Sequence, residues 1–224
     1  MWWQVVVGGV ITIVTAVFIE YLRTPSLGFS IESPPLDVIY PENRPAREVR
    51  YLRLKLSNKP LPSWLRWLQR AAALQCRGSI TFHHLDGQNV FGRAMDTRWS
   101  GSPEPVPIQI VGEGVRLQIW DPVRITTASR MDVYPGESQL LDVASRFDGD
   151  APCYGWNNEA YFSTPPWRNP AWRLGAGRYL ARVEVTSSGQ KCVGIFRLIN
   201  DVDRSDFRLE STTAEDLQRM RSAV

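Results

Sequence analysis

177-GRYLARVEVTSSGQKCVGIFRLIN-200 decides the fold. Tyr179–Val185 and Val193–Ile199 alternate apolar and polar residues with the period of half-buried strands, and Ser187-Ser188-Gly189-Gln190 between them supplies turn chemistry. The stretch predicts an antiparallel hairpin.

Working outward, the same alternation recurs upstream. In Val49–Leu56, Leu52, Leu54 and Leu56 share one face while Arg53 and Lys55 share the other, with Tyr51 off phase. Gly78–His83, Val106–Ile110, Val115–Trp120 and Gln139–Ala144 read alike, and Asp86-Gly87, Gly112 and Pro135-Gly136 punctuate them. About seven strands with turns between them predict a mainly β fold, an antiparallel sandwich. The 224 residues are 43% hydrophobic and include nine tryptophans, the composition of a globular chain. No Ser/Gly-rich linker divides the roughly 200-residue body.

Ahead of the strands stands WWQVVVGGVITIVTAVFIEY, Trp2 to Tyr21, with one acid near its end and no base. At ~1.5 Å per residue it covers the ~30 Å of a bilayer core, with Trp2, Trp3 and Tyr21 where aromatic belts belong. A cleaved leader would carry a basic start and a small-residue exit, whereas this one begins Met-Trp-Trp and exits Glu-Tyr-Leu-Arg, so a retained transmembrane anchor is expected. Gly8 and Thr12 form a small-xxx-small pair that either packs on another helix or arises by chance. Arg23 follows the helix directly, placing the N-terminus outside and the C-terminal body in the cytoplasm. Three cysteines and no glycosylation acceptor agree with that side, and a bridge such as Cys76 to Cys192 belongs to the opposite topology. The expected organisation is an anchor over 1–23, tether and first strand over 24–45, sandwich over 46–210, and a C-terminal helix and tail over 211–224.

Two segments interrupt the strand series. In 64-WLRWLQRAAALQ-75, Trp64, Leu65, Trp67, Leu68, Ala71 and Ala72 fall on one helical face, opposite Arg66, Gln69 and Arg70, with Ser63 as N-cap, so a short inserted amphipathic helix is predicted. From Arg44 to Arg77 nine bases face one acid, Glu48; the segment is +8 and the rest of the +3 chain is −5. Three roles fit: a crossover whose tryptophans cover the sandwich, a helix lying in an anionic leaflet, or a protein contact through Trp64, Arg66, Trp67 and Arg70. Nothing here matches a nucleic-acid-binding motif, and nucleic acid is not expected as a partner.

The second segment, Cys153 to Trp172, sets three tryptophans, two tyrosines, a phenylalanine and three prolines among amides and charges. Trp156, Asn157, Asn158, Glu159, Tyr161, Trp167, Arg168 and Trp172 could form a platform for a sugar or nucleobase, a partner contact, or a loop that closes the sandwich with its rings on the core.

Catalytic signals are poor. His83 and His84 are the only histidines and, as strand neighbours, point to opposite faces, so no metal site is assigned. Ser79, Cys76 and Asp96 lack a nucleophile elbow, and Val111-Gly-Glu-Gly114 lacks the helix and Lys/Ser of a phosphate loop. Asp148 and Asp150 around Gly149 read as an acidic turn. No catalytic residue and no cofactor is assigned. At the end of the chain, Thr212 and Glu215 have capping-box spacing ahead of a helix over Ala214–Arg221, with Leu217 and Met220 as a thin apolar stripe.

Four stretches, 52-LRLKLSN-58, 78-GSITFHHLDG-87, 132-DVYPGESQLLDV-143 and 175-GAGRYLARVEVTSSGQKCVGIFRLIND-201, together resemble the strand progression of immunoglobulin-like domains in uncharacterised prokaryotic single-pass membrane proteins. The resemblance spans roughly residues 28–200. It implies an immunoglobulin-like sandwich and no activity. The expectation is a non-catalytic, membrane-anchored binding or scaffold module, an accessory subunit meeting membrane lipid and a membrane-protein partner; the alternative is a tethered small-ligand sensor using loop 153–172.

Overall fold

The computed structural model describes residues 2–40, 47–65, 67–105, 108–112, 115–119, 129–165, 167–201 and 203–222. The apolar run forms helix α1 (Trp2–Arg23), whose 22 residues reach ~33 Å at 1.5 Å each. Its most apolar window has a mean hydropathy of 2.2 and none of it is buried, so α1 is long and apolar enough to cross a membrane. Thr12 donates its hydroxyl to the Gly8 carbonyl at 2.9 Å, which satisfies that side-chain donor within the helix.

The described body is mainly β. Its strands are β1 (Leu27–Ile31), β2 (Leu36–Tyr40), β3 (Arg47–Asn58), β4 (Ala73–His83), β5 (Met95–Asp96), β6 (Arg98–Trp99), β7 (Ile108–Gly112) and β8 (Val115–Ile119). Beyond them come β9 (Met131–Val133), β10 (Ser138–Phe147), β11 (Cys153–Gly155), β12 (Arg173–Leu174), β13 (Gly177–Ser187), β14 (Gln190–Asn200) and β15 (Arg208–Ser211), then helix α2 (Ala214–Ser222). One antiparallel sheet runs β1-β3-β10-β11-β12, with β2 on the start of β3 and β6 on β10. The other runs β15-β14-β13-β4-β5, with β9 on β4. Among the described residues, strands β7 and β8 pair with each other alone.

The deciding hairpin holds register from Gly177↔Asn200 to Ser187↔Gln190. Ser188 and Gly189 turn the chain, and Gly189, at φ +78°, takes the left-handed conformation that such a turn requires. Leu52, Leu54 and Leu56 of β3 face inward with Leu141, Val143 and Trp99, and meet Ile80, Phe82, Val183 and Leu198 of the opposite sheet in one core. A bulge between Asp142 and Ala144 shifts the phase of β10. Tyr51 is off phase for a reason: with Val49, Phe147, Tyr154 and Trp156 it builds a second cluster apart from that shared core.

Two expectations fail. The amphipathic helix over Trp64–Gln75 does not form: Ser63–Leu65 is a single 3-10 turn, and by Ala73 the chain is already in β4. A helix this short needs its apolar face covered, yet Trp64 and Trp67 are 75% and 72% exposed. Backbone bonding to the body claims the second half instead; Ala71 donates to the Arg23 carbonyl, and the Gln75 amide donates to Asp132 at 2.7 Å. Arg66 lies outside the described residues. The capping box sits one residue later than expected, because the Thr212 hydroxyl donates to the Ile195 carbonyl at 3.0 Å. Thr213 and Asp216 form it, the Thr213 amide donating to the Asp216 carboxylate at 3.0 Å and the Asp216 amide to the Thr213 hydroxyl at 3.3 Å. Met220 packs against the body while Leu217 stays 37% exposed.

Candidate functional site

Both ends of the segment between β3 and β4 are fastened to the few residues that follow α1. Thr24, Pro25 and Ser26 alone separate α1 from β1. Lys59 donates its amide to the Ser26 carbonyl at 2.9 Å, Ala71 to that of Arg23 at 2.6 Å, and Arg70 Nη1 reaches the Thr24 carbonyl at 2.7 Å. Asn58, fully buried at the end of β3, is the centre of this knot. Its Oδ1 accepts the Ser26 amide at 3.0 Å, and its Nδ2 donates to the carbonyls of Ala71 at 3.0 Å and Val133 at 3.2 Å. Its backbone pairs with Glu137 and Gly136. The body is thus tied to the end of the apolar helix rather than trailing from it.

Between those ends the chain exposes Trp64 and Trp67, with Tyr21 (71%) and Tyr134 (51%) the other exposed rings near the knot. Behind them Leu61, Leu65, Leu68, Ala72 and Pro135 wall a groove of ≈ 520 Å³ that Arg70 also lines. Arg70 Nε is buried with no partner among the described residues. Arg23 and Lys59, at the fastening points, are exposed.

The basic segment is less positive in space than along the chain. Arg50 forks onto Asp37 at 2.9 and 2.8 Å, and that pairing holds the Asp37 carboxyl below its usual range. Arg53 meets Asp142 at 2.8 Å and Arg77 meets Asp96 at 2.9 Å. The carboxylates come from other strands, so among the described residues Arg50, Arg53 and Arg77 of this segment are paired.

Of the anchor positions, Trp2 and Trp3 are exposed, and Gly8 and Thr12 lie on an open helix face. Counting in fours, Gln4, Ala16 and Glu20 continue the line of Gly8 and Thr12 as an inclined ridge that winds part of the way round α1, with Gly9 and Thr15 off it.

The aromatic loop turns inward. Trp156 and Trp172 are each 3% exposed, and Trp156 meets Tyr51 edge-on at 5.1 Å. Trp167 stacks on Phe147, with Arg168 over the same ring at 4.1 Å and on Asp150 at 2.6 Å. Glu159 accepts from the Trp172 indole at 2.8 Å and from Asn169 at 3.2 Å; Asn158 accepts from Arg98 at 2.8 Å; buried Asn157 starts the 3-10 turn that follows. Tyr161 donates to Glu104 at 3.1 Å, and burial raises its pKa. The loop's polar groups are thus largely engaged inside the fold.

Sequence reasoning missed two positions. Buried Asp142 lies between Arg53 and Arg98 and accepts from Ser100 at 2.7 Å; burial pushes its carboxyl up against the pull of those partners. An acid inside the apolar run Leu140-Leu141-Asp142-Val143-Ala144 was the available signal. Asn58 leaves no such mark. His83 bonds the Gly87 carbonyl and the Thr81 hydroxyl, each at 2.9 Å, and His84 is exposed. Among the described residues, no three His, Cys, Asp or Glu gather where a metal ion would bind. No protein-family model, curated protein or solved structure matches the chain.

Proposed function

We propose that the chain is a membrane-anchored, non-catalytic binding module, an accessory subunit that meets a membrane-protein partner through α1 and the adjacent end of its β body. The observation that carries this reading is the pairing of an unburied helix, with its row of Gln4, Gly8, Thr12, Ala16 and Glu20, to a body fixed to it by hydrogen bonds at Arg23, Thr24 and Ser26. Small residues let a second helix approach closely, and polar ones add hydrogen bonds across the contact. Arg23 beside the helix end supports a cytoplasmic body, as do three free cysteines, two of them buried. Long antiparallel strands around one core, with Trp99 inside it, support an immunoglobulin-like arrangement. The ionisable groups Cys153, Asp142 and Tyr161, all displaced by burial, do not line the Pro60–Pro135 groove beside the knot, which supports reading that groove as a binding surface.

The test is extraction of the full chain from its native membrane in mild detergent, followed by the mass and composition of the complex. A stoichiometric membrane partner that is lost in a Gly8→Leu/Thr12→Leu variant supports the reading. A lone monomer, or a complex indifferent to that double substitution, refutes it.

A further inference from the structure

We propose that the Pro60–Ala72 loop is a lipid-binding foot: Trp64 and Trp67 lie in the headgroup layer of the leaflet from which α1 emerges, and Arg70 in the groove behind them takes the phosphate of an anionic phospholipid. The inference deepens the reading above and rests on α1 spanning the membrane.

Position is the first argument. The amide of Lys59 bonds Ser26 and that of Ala71 bonds Arg23, so both ends of the loop start where the apolar helix stops. At no more than ~3.6 Å per residue, Trp64 lies within ~18 Å of one fastening point and Trp67 within ~15 Å of the other. A polar layer of roughly 5–8 Å flanks the hydrocarbon on each side, so the loop has the reach to enter it. The second argument is the exposure of the indoles. Among the described residues four tryptophans are exposed, Trp2, Trp3, Trp64 and Trp67, and every one is near an end of α1 in the chain or through the knot. Amphipathic rings at both ends of a span are the pattern that membrane interfaces select.

The groove supplies the third argument. Leucine, alanine and proline make most of its wall, with Gln69 and Tyr134 beside them, and its cation Arg70 has one nitrogen held by the Thr24 carbonyl and a buried Nε without a partner among the described residues. A guanidinium so placed matches a phosphate oxygen, and the apolar wall matches the glycerol and upper acyl carbons attached to it. Exposed Arg23 and Lys59 add positive charge at the same level.

The full chain in nanodiscs made with lipids brominated near the top of the acyl chain tests this by tryptophan quenching. Two discs are compared: phosphatidylcholine alone, and an equal mixture with phosphatidylglycerol. Trp64→Phe/Trp67→Phe should lower the amount of emission that is quenched by about half, since two of the four exposed tryptophans among the described residues are removed. The difference between the two discs should shrink clearly in Arg70→Gln, with the remainder due to Arg23 and Lys59. Unchanged quenching in the double variant overturns the foot while the signal of Trp2 and Trp3 still reports an inserted α1. Absence of quenching in every variant overturns the anchor itself. An anionic preference as large in Arg70→Gln as in the unaltered chain overturns the assignment of the phosphate site.

Discussion

Asn58→Ala removes a side chain that is fully buried and makes three hydrogen bonds to backbone groups of three different segments. Alanine leaves the Ser26 amide and the carbonyls of Ala71 and Val133 without that partner. Each buried polar group so orphaned costs roughly 1–3 kcal/mol, and with water able to reach the part-buried Ser26 the low end applies, about 3 kcal/mol in all. For a body of this size 1 kcal/mol moves Tm by ~2–4 °C, so a loss of about 6–12 °C is expected. The assay is thermal unfolding of the full chain in nanodiscs, followed by tryptophan fluorescence, with amide exchange measured at Ser26. Asn58→Asp serves as the internal control: it keeps the acceptor for Ser26 but loses both donors, so it should preserve exchange protection at Ser26 while still lowering Tm. A Tm change below ~2 °C for the alanine variant, with Ser26 still protected, would refute the idea that Asn58 ties the body to the helix.

Further outcomes follow from the same geometry. Asp216 is pushed up by burial, but the Thr213 amide and hydroxyl and the Arg197 guanidinium prevail and hold its carboxyl below the usual range. A depressed carboxyl stabilises above its unfolded value of about 4 and loses that contribution as pH falls through the folded value, so exchange protection of α2 should be complete at neutral pH and fade in acid. Asp216→Asn should weaken α2 at neutral pH by about 1 kcal/mol, read as faster amide exchange over Ala214–Ser222. Burial pushes the Cys153 thiol up to about 12 and shuts out reagents, so maleimide should label half-buried Cys192 first and Cys153 only after unfolding. Gly155→Ala would set a methyl 2.8 Å from Met95 Sδ and 3.2 Å from both the Phe82 ring and Trp172 Cβ, and should cost about 1–3 kcal/mol in denaturant melts.

The β architecture was legible because period-two alternation and turn residues are local signals. The 177–200 hairpin and the inward leucines of β3 stand where the pattern put them. The errors come from features that only the fold decides. Trp64, Trp67 and Ala71 satisfy a helical period, yet no surface of the body covers the two indoles, and strand β4 takes the residues that would have completed the turns. The capping box moved one residue because Ile195, far away in the chain, occupies Thr212. A +8 window overstates the local field because Asp37, Asp96 and Asp142 return from other strands to pair with it. The aromatic loop's composition is compatible with burial on the core, and Tyr51, off phase in β3, is the visible trace of the cluster that receives Trp156.

A rigid junction changes what an anchor can do. Were 24–45 a free linker, the body would sample many orientations, and contacts made by α1 within the bilayer would leave the body's surfaces undirected. Here β1 begins three residues after α1, and hydrogen bonds from Asn58, Lys59, Arg70 and Ala71 close around that short link. A rotation of α1 forced by a partner helix must therefore either carry the β body with it or break the knot at Asn58. If the proposed partner and lipid contacts hold, the row from Gln4 to Glu20 and the exposed pair Trp64 and Trp67 do not act independently. Fixing one selects the orientation of the other, so Asn58→Ala should weaken partner capture through α1 even though Asn58 touches neither lipid nor partner, and retention of full capture would show that the two surfaces act separately.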